Sequence, residues 1–219
     1  MSEERKTETI LIADDHPLFR QALALAVGRV RPLARLVEAG TLTAAARIVA
    51  ETPDLALIML DLKMPGAVGY SGIALLHAER PDVPILVISS AEGAAAADEA
   101  RSFGAMGFLS KNADLAHIEA AVARILGIDG ATAPARPAPT PEAQELEHIR
   151  EEVARLTPTQ LKVLLAVLDG QLNKQIAHGL GITEATVKAH MTAIMRKLDV
   201  KNRTQAALVA RSLGLDLIH

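Results

Sequence analysis

Over roughly the first 125 residues, short unbroken apolar runs alternate with longer amphipathic stretches. The runs at 10–13, 36–39, 55–60, 85–88 and 107–109 are the strand candidates. LALIML and ILVI are apolar at every position, as expected of strands buried on both faces of a parallel sheet. Five such strands with helical stretches between and after them predict a doubly wound α/β fold. The pattern then breaks. ATAPARPAPTP, residues 131–141, has no apolar periodicity, and its prolines forbid both helix and ladder, so it reads as an extended linker. Residues 142–155 return to helix formers, with Leu146, Ile149 and Val153 on one stripe.

From Leu156 onward only helical periods remain. Thr157 and Gln160 form a capping box with Pro158 at the first helical position, which predicts a helix running to Gly170. Asn173 is the expected cap of a short second helix ending near Leu180; Gly181 permits a tight turn, and Thr183 caps a third helix over 184–198. In that third helix Val187, Met191, Ile194 and Leu198 predict one buried face, while Lys188, Thr192 and Arg196 are spaced by fours on another. A last helix over 205–213 offers Ala206, Ala207, Val209, Ala210 and Leu213 as a core support or a dimer surface. The sequence thus divides into an α/β unit at 1–130, a Pro/Ala-rich linker and connecting helix at 131–155, and an all-α helix-turn-helix unit at 156–219.

Composition narrows the functions open to such a chain. Its 219 residues contain no cysteine, which excludes disulfides, thiolate metal sites and cysteine nucleophiles, and makes the cytoplasm the expected compartment. The first residues lack a signal-peptide core and every apolar stretch is broken by charge, so no membrane insertion is expected. With one Tyr, three Phe and no Trp, the chain lacks the stacking rings of single-strand binders. A net charge of -3 conceals an asymmetry. Residues 1–130 carry 12 basic and 17 acidic side chains, a charge of -5; residues 131–155 carry 3 and 5, or -2; residues 156–219 carry 8 and 4, or +4.

Candidate chemistry lies at the strand ends, where ligands of doubly wound folds bind. Asp14 and Asp15 follow the first strand, Asp61 ends the third, Ser89 ends the fourth, and Lys111 follows the fifth. If the strand order is 2-1-3-4-5, the three carboxylates converge on one crevice. They would repel one another without a cation, and an oxygen-rich site with spare positions suits Mg²⁺. With Lys111 opposite, one aspartate could attack a phosphoryl group while the metal and the lysine hold its oxygens. Taken singly, each residue has a plainer reading: Asp14 and Asp15 as a helix-start pair before Pro17, Asp61 as a loop acid, Ser89 as a strand end, Lys111 as a solvated base and Phe108 as core filler.

These motifs, ILIADDHPLFRQAL, LDLKMPG, VISSA and GAMGFLSK, resemble in order the receiver domains of two-component response regulators. The resemblance implies that Asp61 accepts the phosphoryl group. It makes Asp15, Asp61 and the Lys63 carbonyl direct Mg²⁺ ligands and Asp14 a ligand through water. Ser89 becomes the switch hydroxyl, Phe108 the switch aromatic and Lys111 the phosphate counter-ion. Two departures stand out: the loop between Pro65 and Gly72, which includes Tyr70, is about three residues longer than is usual, and Asn112 replaces a frequent proline.

LTPTQLKVL, GQLNKQIAHGLGITEATVKAH and IMRKLDVKNRTQAA resemble the DNA-binding domain of the LuxR type, and the order of the two units matches the NarL/FixJ class. By that resemblance Lys188 and Thr192 face bases or adjacent backbone, and Ala189 lies where it could touch a thymine methyl. Thr186, His190, Asn173, Lys174, Lys197 and Arg203 would hold phosphate or fix helix positions. For His190 a semi-buried structural role is equally open, and for Arg196 and Lys197 a solvated face. Gln160 replaces the family's usual glutamate.

The resemblance therefore implies a phosphorylation-switched regulator of transcription. Its expected partners are double-stranded DNA, a sensor histidine kinase and, once phosphorylated, a second copy of the chain; Mg²⁺ is the cofactor. Beyond phosphoryl acceptance at Asp61 and slow hydrolysis, no enzymatic activity is expected. The alternative is a phospho-independent DNA-binding regulator whose first unit only dimerises. A phosphotransferase of haloacid-dehalogenase style would need a second aspartate two residues after Asp61, where Lys63 stands.

Overall fold

The computed structural model describes residues 8–67, 69–90, 94–128, 152–153, 155–213 and 215. Five strands, β1 (Thr9–Ala13), β2 (Arg35–Ala39), β3 (Leu55–Leu60), β4 (Ile85–Ser89) and β5 (Gly107–Ser110), form one parallel sheet in the order β2-β1-β3-β4-β5. Each lies within one residue, at either end, of the run that predicted it. The intervening helices are α1 (Pro17–Val30), α2 (Leu42–Glu51), α3 (Ser71–Glu79) and α4 (Ala94–Ser102), and α5 (Leu115–Ile125) follows β5.

Strand side chains alternate between faces, so the sheet has two cores. Leu11, Ala13, Ile58, Leu60 and Val87 face α2, α3 and α4. Ile10, Ile12, Leu57, Met59, Leu86 and Ile88 face α1 and α5. Helices on both sides explain why β1, β3 and β4 are almost wholly buried. Of the five strands only β2, at an edge, carries exposed residues, Arg35 and Glu38.

The second unit contains α6 (Pro158–Leu168), α7 (Asn173–Leu180), α8 (Glu184–Lys197) and α9 (Arg203–Ser212). Val187, Met191, Ile194 and Leu198 form the buried face of α8 and its end, as the apolar rhythm requires, and Ala206, Ala210 and Leu213 pack from α9. The Thr157–Gln160 box is closed: Thr157 Oγ accepts from Gln160 N at 3.3 Å and Gln160 Oε1 accepts from Thr157 N at 3.1 Å. Gly181 ends α7 in the left-handed conformation at φ 66°, which a side chain would strain. Asn202 caps α9, accepting from Gln205 N at 2.8 Å, so this helix starts two residues before the position that periodicity indicates.

α6 packs against α3. The Lys162 ammonium stands 3.9 Å from the Glu79 carboxylate, and a cleft of about 610 Å³ lies between Leu42, Arg47 and Leu75 on one side and Leu165, Asp169 and Leu180 on the other. The expected linker at 131–141 lies outside the described residues. So does most of the helix expected at 142–155, of which Val153 is described and is fully buried.

Thr157→Ala is expected to cost about 1 kcal/mol, as for other lost N-caps. Amide exchange in the first turn of α6 should quicken roughly fivefold if the loss is confined to that end of the helix.

Candidate functional site

β1 and β3 are neighbours, so their carboxyl ends deliver Asp14 and Asp61 side by side. Asp61 N donates to Ala13 O at 2.8 Å and Asp14 N to Ala39 O at 3.0 Å, carrying the ladder one step past each strand. Both carboxylates are buried, with Asp14 1% and Asp61 2% exposed. Their Oδ1 atoms turn the chain: Asp14 accepts from His16 N at 2.8 Å, just before α1, and Asp61 accepts from Lys63 N at 3.1 Å. The Oδ2 atoms converge on the Lys111 ammonium, at 2.7 Å from Asp14 and 2.8 Å from Asp61. Lys111 N in turn donates to Ser89 O at 2.8 Å, fixing β5's exit against β4. Burial works against the Lys111 charge, but its bonds to Asp14 and Asp61 outweigh this and raise its pKa above the usual lysine value. The ammonium also lies 4.9 Å from the centre of the Phe19 ring.

Asp15 is partly exposed, and its Oδ1 faces the His16 ring nitrogen at 2.6 Å. Ligand atoms of Asp14, Asp15, His16 and Asp61 all lie within 4.8 Å of one another. Asp14 Oδ2 and Asp15 Oδ1 are both buried; among the described residues the Lys111 ammonium stands 2.7 Å from the first and a His16 ring nitrogen 2.6 Å from the second. Three carboxylates face one ammonium here, with oxygen positions to spare. These residues fit a hard, oxygen-seeking divalent cation such as Mg²⁺.

Ser89 is fully buried at the end of β4, and Phe108 on β5 is half-buried, in register with Val87. Gly66, at φ 84°, closes the turn after Pro65, whose carbonyl accepts from Leu42 N at 3.0 Å. Tyr70 is engaged elsewhere: its ring stacks on Phe103 with centroids 5.7 Å apart. Beside the crevice a cavity of about 520 Å³ is walled by Leu18, Phe19 and Ala22, with Asp61, Lys63 and Lys111 at its polar end.

On α8, Lys188, Ala189, Thr192 and Arg196 are exposed and His190 is half-buried. The Thr192 hydroxyl donates to Lys188 O at 3.0 Å. Thr186 sits in the helix start, its N–H donating to Thr183 Oγ at 3.1 Å. Lys174 is exposed on α7. Three other candidates are drawn into the packing. Asn173 Oδ1 accepts from Arg203 at 2.9 Å, and Arg203 also donates to Gln171 O. Lys197 Nζ donates to Arg155 O at 2.8 Å and to Gln160 Oε1 at 3.0 Å. Asn173 is not the cap of α7. Leu172 holds that position, and the Gln175 side chain accepts from Leu172 N at 2.7 Å.

Residues 10–123 match the family model described as response regulator receiver domain, and residues 154–210 match that of bacterial regulatory proteins, luxR family. The chain belongs to the two-component response regulators of the LuxR type. It is 38% identical over 207 residues to the glycerol metabolism activator of Pseudomonas putida, covering 92% of this chain and 94% of that one. To the nitrate/nitrite response regulator protein NarL of Escherichia coli K12 it is 30% identical, covering 91% and 93%. A crystal structure of a LuxR-family two-component response regulator from Aurantimonas sp. SI85-9A1 superposes with a TM-score of 0.50 at 29% identity, covering 64% of this chain and 94% of that one. This protein is therefore a DNA-binding response regulator, acting in transcription regulation. No helix among its described residues is long and apolar enough to cross a membrane.

Sequence reasoning left out three residues of the regulator's crevice: His16, Phe19 and Arg20. All three stand in the quoted DDHPLFR stretch, and a helix that starts at Pro17, one residue beyond the acidic pair, places its first turn against the strand end.

Proposed function

We propose that transfer of a phosphoryl group to Asp61 switches this regulator, the donor being a phosphohistidine of a sensor kinase. The Asp61 carboxylate attacks phosphorus, the P–N bond breaks as the Asp61 O–P bond forms, and the departing imidazole takes up a proton. Asp14, Asp15, Asp61 and the Lys63 carbonyl would hold Mg²⁺, which when bound offsets negative charge on the transferring oxygens. Lys111, charged through the neutral range, pairs with a phosphoryl oxygen; the Ser89 hydroxyl moves to another, and Phe108 follows it inward. The observation that carries this reading is the Lys111 ammonium between Asp14 and Asp61, at 2.7 and 2.8 Å.

Phosphorylation then favours a homodimer, whose two α8 helices read half-sites of double-stranded DNA one helical turn, about 34–36 Å, apart. Lys188, Ala189 and Thr192 stay exposed while α6 packs on α3, which supports pairing of chains over uncovering of α8 as the switched step. The basic second unit, +4 against -5 for residues 1–130, supplies the attraction to DNA. The domain bounds proposed are 1–130, 131–155 and 156–219.

The test is DNA binding by the full chain with and without acetyl phosphate and Mg²⁺, alongside sedimentation to follow dimerisation. Phosphorylated chain should bind more tightly and sediment as a dimer. Equal affinity in both states would favour the phospho-independent regulator instead.

A further inference from the structure

We infer that Arg20 is a positioning residue of the phosphoacceptor site, holding the Asp14–Asp15 peptide so that Asp15 faces the cation site. The inference rests on the proposed Mg²⁺-dependent reading of that site. Arg20 lies in the first turn of α1, where its own N–H is tied to His16 O at 3.1 Å. Its side chain is 18% exposed and runs back over the carboxyl ends of β1 and β2. Nη1 donates to the Asp14 carbonyl at 2.8 Å, and Nε donates to the Glu38 carboxylate at 2.5 Å. Glu38 sits on β2 in register with Ile12 of β1. One guanidinium thus joins the start of α1, the exit of β1 and the edge strand β2 at the acidic pair.

The consequence follows from the planarity of the peptide unit. Asp14 is already fixed through its N–H to Ala39 O and its Oδ1 from His16 N. Once Arg20 orients its carbonyl, the Asp14–Asp15 peptide plane is set, and with it the position of the Asp15 Cα from which the side chain leaves. Among the described residues Asp15 has no comparable anchor of its own: its Oδ1 meets the exposed His16 ring. Its direction therefore depends on the backbone that precedes it. Glu38 neutralises the guanidinium, so the contribution of Arg20 to the crevice is one of geometry and not of net charge. A lysine carries all its donors on one flexible nitrogen and lacks the separate, coplanar Nε and Nη1 that reach Glu38 and the Asp14 carbonyl here.

Arg20→Ala and Arg20→Lys are both expected to raise the Mg²⁺ dissociation constant of the full chain about tenfold, the low end of the effect of removing a group that orients a metal ligand. The rate of labelling by acetyl phosphate at saturating Mg²⁺ should stay near that of the unaltered chain. Glu38→Gln keeps an acceptor for Nε and should change the dissociation constant by less than twofold to threefold. Isothermal titration with MgCl₂ gives the constant, a Mg²⁺ series of labelling rates gives the split, and circular dichroism checks folding. Should Arg20→Ala fail to fold, Arg20→Lys and Glu38→Gln carry the comparison. Unchanged Mg²⁺ affinity in a folded Arg20 variant overturns the positioning role while leaving phosphorylation of Asp61 intact. A lower saturating rate with unchanged affinity overturns it equally. An unaltered chain that binds no Mg²⁺ overturns both the role and the reading beneath it.

Discussion

Asp61→Ala is expected to abolish labelling of the full chain by acetyl phosphate and Mg²⁺, seen as complete loss of the retarded band on a phosphate-affinity gel. Lys111 contacts Asp14 and Asp61 at nearly equal distances, so the ion pairs alone do not choose between them. Access does. Asp61, Lys63 and Lys111 border the cavity of about 520 Å³ beside the crevice, whereas Asp14 is not among its walls. A donor entering over Leu18 and Phe19 meets Asp61 first. The variant should remain folded, because removing one of three crowded carboxylates relieves repulsion and leaves Lys111 paired with Asp14. Asp14→Asn should act differently, raising the Mg²⁺ requirement while still permitting the band at high Mg²⁺. A retarded band that persists in a folded Asp61→Ala protein would sink Asp61 as the acceptor.

The crevice was legible because its parts are local to strand ends. LALIML and ILVI mark strands covered on both faces, and the residue that ends each run is the one the sheet delivers to its carboxyl edge. The buried face of α8 was legible for the same reason, since Val187, Met191, Ile194 and Leu198 need only the helical period. Non-local pairings escaped. Asn173 has the composition of a helix cap, but its side chain oxygen is taken by Arg203, which lies 30 residues further on, so capping passes to Leu172 and Gln175. Lys197 looks like a surface cation, yet it ties the end of α8 to Arg155 and to the cap of α6. Tyr70 stands beside the acceptor loop in sequence and stacks on Phe103 across the core. The packing of α6 on α3 escaped too, because nothing in a Pro/Ala run encodes how the units it joins will meet.

Lys188→Ala is expected to cost about 1–3 kcal/mol in binding to the regulator's own operator, or roughly 5-fold to 150-fold in affinity, the range of a direct contact to a base edge. Lys188 is exposed in the first half of α8, the part that a recognition helix presents to bases, and its side chain lies one turn before Thr192. Lys174, exposed on α7, serves as the contrast: a cation that meets only phosphate contributes equally on any sequence. Lys174→Ala should therefore weaken operator and scrambled duplex alike and lower the slope of log affinity against log salt by about 0.9. Lys188→Ala should weaken the operator far more than the scrambled duplex. Arg203→Ala is a third kind of change, since the guanidinium secures Asn173 and Gln171; its effect should appear first as faster amide exchange at the start of α7. Anisotropy titrations of both duplexes across a salt series separate the first two cases. Equal losses on operator and scrambled DNA for Lys188→Ala would place that side chain on the phosphate backbone and move the search for base contacts to Ala189 and Thr192.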